Sequence, residues 1–113
     1  MKINEYQKLA MKNLNPALKE EEVLLNGVMG LCGESGEVID ILKKHLSQGH
    51  ELNREKMAEE LGDVAWYLAE TAYALGYDLE DILQMNIDKL HKRYPNGFST
   101  EDSLNRKDEE SIL

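Results

Sequence analysis

The stretch EELGDVAWYLAETAYALG, residues 59–76, decides the fold. At about 100° per residue on a helical wheel, it places a row of apolar side chains on one face. Together with a preceding methionine, that row is Met57, Leu61, Val64, Leu68, Ala72 and Leu75. Elsewhere the chain also has helical periodicity, and no segment shows the sustained polar and apolar alternation of a strand. The sequence therefore predicts an all-α protein, a bundle of four helices.

Helix-start and helix-stop signals give approximate bounds for these helices. The predicted ranges are residues 4–14, 20–46, 53–76 and 78–94. Asn4 and Gln7 resemble a capping box for the first helix, and Asn53 can cap the third. The fourth must end before Pro95, because proline cannot continue a helix. We expect one domain over residues 1–98, followed by an acidic tail, residues 99–113, that is loosely packed or disordered.

Four glycines recur at intervals of three in the second predicted helix: Gly27, Gly30, Gly33 and Gly36. Each costs roughly 0.5 to 1 kcal/mol relative to alanine inside a helix. One interpretation is that the helix is broken there. The other is clearance, either for a bound metal with its ligand or for the close approach of another helix.

Two carboxylate doublets are the strongest signal of chemistry. Glu34 and Glu37 lie on the second helix, and Glu60 and Asp63 on the third, each pair with the spacing of three that puts both acids on one helical surface. The wheel turns the adjacent Glu59 away. Four carboxylates facing one space repel one another unless a cation joins them, and an all-oxygen set suits magnesium or manganese.

Basic and amide side chains of the fourth helix suggest the ligand. Asn86 and Arg93 fall on its leucine-rich face, with Lys89 at the edge. Arg93 could pair with a core carboxylate and Lys89 could be solvated, but all three could also receive phosphate oxygens. Lys44 shares the face of Glu37 on the second helix and is a weaker candidate for the same role.

Composition narrows the classes of partner. The formal net charge of −9 over 113 residues argues against nucleic acid as the main partner. No apolar run approaches the ~20 residues of a membrane span, and the N-terminus lacks a signal-peptide pattern. The single cysteine, Cys32, has apolar neighbours and is expected to be packed, which agrees with a reducing, cytoplasmic compartment.

The third helix has a second surface, nearly opposite the first apolar row. It consists of Gly62, Trp66, Ala69 and Tyr73. A helix that is apolar on two faces needs two partners. Packing within the monomer is one possibility. The small size of the domain favours the other, a homodimer or homotetramer.

Three blocks of the sequence resemble a known family when they are taken in order. The three blocks are GLCGESGEVIDILKK, EELGDVAWYLAETAYALG and NIDKLHKRYP. Over roughly residues 23–98, the chain resembles the MazG-like all-α nucleoside triphosphate pyrophosphohydrolases. The resemblance implies conversion of a nucleoside triphosphate to the monophosphate and pyrophosphate, by attack of water at the α-phosphorus. It also implies that magnesium is the cofactor.

The same resemblance implies roles for individual residues. The implied metal ligands are Glu34, Glu37, Glu60 and Asp63, and the residues near the triphosphate are Asn86, Lys89 and Arg93. Some members have two adjacent acids at the start of the first block. Here Gly33 takes the earlier position, so only four ligands are expected. We expect Glu37 to position or deprotonate the water, and Tyr6 of the first helix to contribute to base selection.

Two other classes of protein share parts of this pattern. A di-iron bundle also uses inward carboxylates, but it needs Glu-x-x-His motifs, and the nearest spacing here is Asp88 to His91. A catalytically silent helical module could use the same fold for dimerisation or regulation. Metal-dependent release of pyrophosphate separates that module from an enzyme.

Overall fold

The computed structural model describes residues 1–112, with side chains up to Glu109, and over that range its regular elements are all helices. They are α1 (Ile3–Met11), α2 (Glu20–Gln48), α3 (Arg54–Ala74), α4 (Leu79–Arg93), α5 (Thr100–Asn105) and a 3-10 helix (Lys107–Ile112). The all-α prediction is confirmed. No helix of the described range is long and apolar enough to cross a membrane.

The chain forms two compact units, one from Met1 to Leu79 and one from Glu80 onward. In the first unit, α2 packs along α3, and α1 packs against α3 as well. These three helices contain both carboxylate doublets, so the first unit is the one that positions the candidate site.

The start of α1 differs from the prediction. Its N-cap is Lys2, whose backbone N–H donates to the Glu5 carboxylate at 3.1 Å, so the expected capping box of Asn4 and Gln7 is wrong. Gln7 is buried instead and bonds to the region where α3 ends. Its Nε2 donates to the carbonyl oxygens of Ala69 at 3.3 Å and Tyr77 at 3.2 Å, and its Oε1 accepts from the N–H of Leu79 at 2.8 Å.

The bounds of α3 follow from two local signals that the sequence does show. The side chain of Asn53 accepts from the N–H of Lys56 at 3.0 Å, as predicted for an N-cap. After the last turn, Gly76 takes a φ of 80°, a left-handed conformation that glycine adopts without a steric penalty. Asn53 and Gly76 therefore fix the length of α3 and the point where the chain turns towards α4.

The glycines of α2 have two different surroundings. The helix is continuous, so the broken-helix interpretation is wrong. A Cβ at Gly27 would lie 2.6 Å from Oγ1 of Thr71, and a Cβ at Gly30 would overlap the ring of Tyr67. A Cβ at Gly33 or Gly36 would meet no described atom within 4 Å. Gly27 and Gly30 are thus needed for the close approach of α3, whereas Gly33 and Gly36 are not.

The face of α3 that covers α2 is not the predicted apolar row. Leu61 and Leu75 of that row are 54% and 55% exposed, although Ala72 is buried. The helix instead turns the flank containing Tyr67 and Thr71 towards α2. The wheel identified the most apolar face, but the glycines of α2 determine which face can come closest.

The second apolar surface of α3 is covered within the monomer. The indole Nε1 of Trp66 donates to the carbonyl oxygen of Ala10 at 3.1 Å, and Ala69 is fully buried. Packing within the monomer, the other possibility, therefore accounts for these two residues, and the homodimer or homotetramer stays a prediction. Tyr73 stays 54% exposed and therefore lies outside this packing.

A fully buried glutamate links α2 and α3. Both carboxylate oxygens of Glu70 accept from Nδ2 of Asn26, at 3.0 and 2.9 Å. Burial of a charged group without a hydrogen-bond partner would cost several kcal/mol, so Asn26 is required where Glu70 is. The sequence analysis missed this pair.

The second unit contains a partly buried ion pair between α4 and the tail. The guanidinium of Arg93 donates two hydrogen bonds of 2.9 Å to Asp108, which holds the pKa of that carboxyl well below its usual range. Ser99 caps α5 by accepting from the N–H of Asp102 at 3.0 Å. The tail is helical over Thr100–Asn105 and Lys107–Ile112, and its loose packing stays a prediction. The domain division at residue 98 stays a prediction.

The two kinds of glycine in α2 should respond oppositely to the same substitution. Gly30→Ala should lower the free energy of unfolding by about 1 to 3 kcal/mol, because the new methyl group overlaps the Tyr67 ring. Gly33→Ala should raise it by up to ~1 kcal/mol, since the methyl group meets open space and alanine favours the helix. Urea unfolding followed by circular dichroism measures both changes. Equal effects at the two positions would contradict the packing described here.

Candidate metal centre

Three of the four predicted metal ligands converge where α2 crosses the first half of α3. Glu34, Glu60 and Asp63 each offer a carboxylate oxygen, and these atoms lie within 4.8 Å of one another. Glu60 is buried, Glu34 is half-buried and Asp63 is exposed. The cluster therefore has a closed side and a side that is open to solvent.

Helical phase separates the adjacent acids of α3. The Glu60 side chain is only 10% exposed, whereas that of Glu59 is 71% exposed. Glu60 lies one turn before Asp63 on the flank that faces α2, and the wheel had placed it there. Glu59 is turned outward and takes no part in the cluster.

The carboxylates of the cluster shift one another's pKa values, as expected for like charges held close together. A hydrogen bond from the protonated Glu34 carboxyl to Glu60 raises the pKa of Glu34, and burial and the charges of Glu60, Asp63 and Glu37 raise it further. The same hydrogen bond is the main cause of the lowered pKa of Glu60. When Glu34 is protonated, repulsion among these acids is partly offset, and a bound cation would offset it more completely.

Lys56 lies beside the cluster. Its Nζ is 3.2 Å from Glu60 and 3.6 Å from Glu59, and the hydrogen bond to Glu60 is the main cause of its raised pKa. The lysine side chain is half-exposed, and an ion pair of this kind contributes roughly 0 to 1 kcal/mol. Among the described residues, Glu34, Glu37 and Asp63 have no cationic side chain within 4 Å. Within the cluster, the ion pair with Lys56 therefore involves Glu60 alone.

Glu37 lies at the edge of this arrangement. It is exposed and is not one of the three residues within 4.8 Å, although its charge contributes to the raised pKa of Glu34. Its predicted roles as a metal ligand and as the group that positions water stay predictions.

Helix α1 borders the same cluster through Tyr6. Burial raises the pKa of the Tyr6 phenol, and the negative charge of Asp63 adds to the effect. An aromatic side chain close to the carboxylates is suitable for contact with a nucleobase, but base selection by Tyr6 stays a prediction.

The predicted phosphate contacts have varied surroundings. Lys44 forms an ion pair of 3.0 Å with Asp40, one turn earlier on α2. Asn86 and Lys89 are exposed, although Asn86 falls on the leucine-rich face of α4. Arg93 is bound by Asp108, which is the carboxylate pairing that the sequence left open. The role of all four residues in substrate binding stays a prediction.

The donor set fits a hard divalent cation. All three converging groups supply oxygen, and magnesium is usually held by one or two carboxylates, with waters and substrate phosphates completing its octahedral shell. The open side at Asp63 leaves room for those further ligands. Sulfur and imidazole donors, which softer metals prefer, are missing from the cluster within the described residues.

Comparison with known proteins agrees with this geometry. The family model of the MazG nucleotide pyrophosphohydrolase domain matches residues 24–98, which is more than half of the chain. The chain belongs to the MazG family. The match includes all of α3 and α4 and most of α2, and thus all of the residues predicted to bind metal; α1 lies outside it.

A curated relative is similar to part of the chain and adds no function. The Gene 37 protein of Mycobacterium phage L5 is 40% identical over 73 residues, which cover 61% of this chain and 64% of that protein. The chain thus spans somewhat less than two thirds of the length of this relative. No solved structure matched the chain. The family therefore follows from the sequence match, and the site follows from the geometry of α2 and α3.

Electrostatic repulsion among the carboxylates should lower the stability of the protein in the absence of metal. Glu34→Gln should raise the melting temperature in EDTA at neutral pH, because it removes repulsion and its amide can still donate to Glu60. The advantage should shrink as the pH falls and Glu34 of the parent takes up its proton, since a raised carboxyl pKa favours the folded state at low pH. Glu59→Gln is the control, because that side chain is exposed. A lower melting temperature for Glu34→Gln would contradict the repulsion.

Proposed function

We propose that this protein is a magnesium-dependent nucleoside triphosphate pyrophosphohydrolase, which converts the triphosphate and water to the monophosphate and pyrophosphate. One observation carries the proposal: carboxylates from two helices of a MazG-family chain converge on a single open space. Manganese could replace magnesium, since both prefer oxygen ligands.

The proposed mechanism divides the work among the residues of the cluster. Glu34, Glu60 and Asp63 would hold the cation, which lowers the pKa of bound water and neutralises charge on the phosphates. Glu37, at the exposed edge, would orient the attacking water or accept its proton. The half-exposed Lys56 would have to give up its ion pair with Glu60 to a divalent cation.

The substrate contacts proposed here are those expected from the sequence. Asn86, Lys89 and Arg93 are proposed to contact the triphosphate, with Lys44 as a weaker contact. A phosphate oxygen would have to compete with Asp108 for Arg93, or bind a guanidinium N–H that Asp108 leaves open. Tyr6 is proposed to contact the base, because it is the aromatic side chain whose pKa responds to Asp63. Free nucleotides rather than nucleic acid suit a chain with a net charge of −9.

The decisive experiment identifies both products from a panel of canonical and modified nucleoside triphosphates. With magnesium, the parent should release the monophosphate and pyrophosphate, and EDTA should abolish turnover. Glu60→Gln should remove most activity and weaken the magnesium dependence, because it takes away a charged ligand. Glu59→Gln should retain activity within a few-fold, since its side chain is exposed. Anion-exchange chromatography separates the products.

Each alternative has its own result in that assay. A diphosphate with inorganic phosphate as first products would contradict attack at the α-phosphorus. No metal-dependent turnover of any nucleotide by a folded, assembled parent would favour the catalytically silent helical module. Inactivation by Glu59→Gln alone would show that the metal ligand on α3 has been misassigned.

We also propose that the chain is a cytoplasmic homodimer or a tetramer built from dimers. On a wheel, one face of α2 lies opposite the glycines that contact α3, and its apolar side chains are exposed in the single chain. They are Leu25, Val28, Met29, Cys32, Ile39 and Leu46. An exposed apolar stripe of this length is typical of a protein contact. It also explains why Cys32, which was expected to be packed, is exposed here.

The stripe of α2 gives the test of assembly. Light scattering at micromolar concentration should give at least twice the mass of the single chain, and Met29→Glu should lower the mass because it places a charge on the stripe. Leu104→Glu is a matched control, since Leu104 is equally apolar and exposed but lies on α5. A monomeric parent with full activity would contradict the proposal.

A further inference from the structure

A cavity, separate from the carboxylate cluster, lies between α1 and the end of α3, entirely within the unit Met1–Leu79. It has a volume of about 500 Å³ and is lined by Lys8, Met11, Lys12, Tyr73, Tyr77 and Asp78, with Gln7 and Gly76. That volume is in the range of about 300 to 1,000 Å³ that is typical of small-molecule sites. None of the residues proposed for catalysis belongs to its lining.

The cavity is separate from the carboxylate cluster. Tyr73 follows Asp63 by ten residues on α3, which corresponds to ~15 Å along the helix axis. On α1, Lys8 and Lys12 lie outside the region that the MazG family model matches. A ligand in this cavity would therefore not touch the proposed metal site.

The lining is basic in an otherwise acidic protein. Lys8 and Lys12 are one turn apart on the same surface of α1, and neither has a carboxylate within 4 Å among the described residues. Asp78 is the single acid of the lining. Two free ammonium groups at this spacing suit the oxygens of a phosphate group or a short phosphate chain.

Two tyrosines supply a planar apolar surface next to these lysines. Tyr73 and Tyr77 are 54% and 47% exposed, so their rings are accessible to a ligand. An aromatic ring stacks readily on a nucleobase, and every base offers a suitable face. Basic and aromatic groups thus meet at one cavity, which is the combination that a nucleotide requires.

The inner wall of the cavity is already ordered. The side chain of Gln7 forms hydrogen bonds with the carbonyl oxygens of Ala69 and Tyr77 and with the N–H of Leu79. These three hydrogen bonds fix the position of the Tyr77 backbone. A ligand would therefore meet a largely preformed site, which lowers the entropic cost of binding.

We propose that this cavity is a second, non-catalytic nucleotide site. Lys8 and Lys12 bind the phosphates, and Tyr73 and Tyr77 pack against the base. Binding there needs no divalent cation, because the ammonium groups supply the positive charge. This property separates the cavity from the carboxylate cluster, which cannot attract a triphosphate without metal.

The test is a calorimetric titration of the full chain with ATP in EDTA, where the proposed catalytic site has no metal. ATP should bind with a dissociation constant in the micromolar range, and tripolyphosphate and adenosine alone should each bind more weakly. The double variant Lys8→Gln/Lys12→Gln should weaken ATP binding at least tenfold, and Tyr77→Leu should weaken it several-fold. Lys43→Gln/Lys92→Gln is the matched control, because it removes the same charge from exposed lysines elsewhere.

Three results would overturn the proposal. One is the absence of ATP binding by the parent in EDTA, and another is equal binding by the parent and the Lys8/Lys12 variant. The third is a difference in mass between the Lys8/Lys12 variant and the parent, measured by light scattering in the absence of ATP. Such a difference would make the cavity a contact between copies. Pyrophosphate release with magnesium is measured separately, so failure here is distinct from failure of the proposed activity.

Discussion

The close approach of α2 to α3 is the constraint on which the rest of the first unit depends. Gly27 and Gly30 have no side chain, so Thr71 and Tyr67 can come against the α2 backbone. One turn further along α2, the same contact brings Glu34 to Glu60 and Asp63. A larger residue at either glycine would separate the helices, and the carboxylates with them. The costs of two glycines in a helix, roughly 0.5 to 1 kcal/mol each, are therefore linked directly to the site.

Hydrogen bonds from side chains to backbone groups hold α1 against α3. Gln7 and Trp66 connect α1 and α3, and Gln7 also reaches the first residue of α4. A buried N–H or carbonyl group that loses its partner costs about 1 to 3 kcal/mol, so these side chains determine where α1 can lie. The position of Tyr6 near Asp63 follows from them, because Tyr6 precedes Gln7 on the same helix.

The sequence predicted the helices and three converging acids better than it predicted the packing. Helical period and caps such as Asn53 are local properties, so the bounds of α3 could be read directly. The partner of each helix face could not, because Leu61 and Trp66 are equally apolar on a wheel although only Trp66 is covered by α1. Gln7 was mistaken for part of a cap because its actual partners lie more than sixty residues away. Helical periodicity is a local property and carries no signal for such a contact.

Two kinds of acid lie on the flank of α3 that faces α2, and the opposite residue on α2 distinguishes them. Glu70 is fully buried opposite Asn26, whose Nδ2 donates a hydrogen bond to each of the two carboxylate oxygens. Glu60 and Asp63 lie opposite Glu34, another acid, and the cluster is open to solvent at Asp63. An amide partner makes a permanent structural contact, whereas an acid partner leaves a charge imbalance that only a proton, a lysine or a metal can reduce. The difference between Asn26 and Glu34 therefore gives one helix interface a structural contact at one end and a candidate cation site at the other.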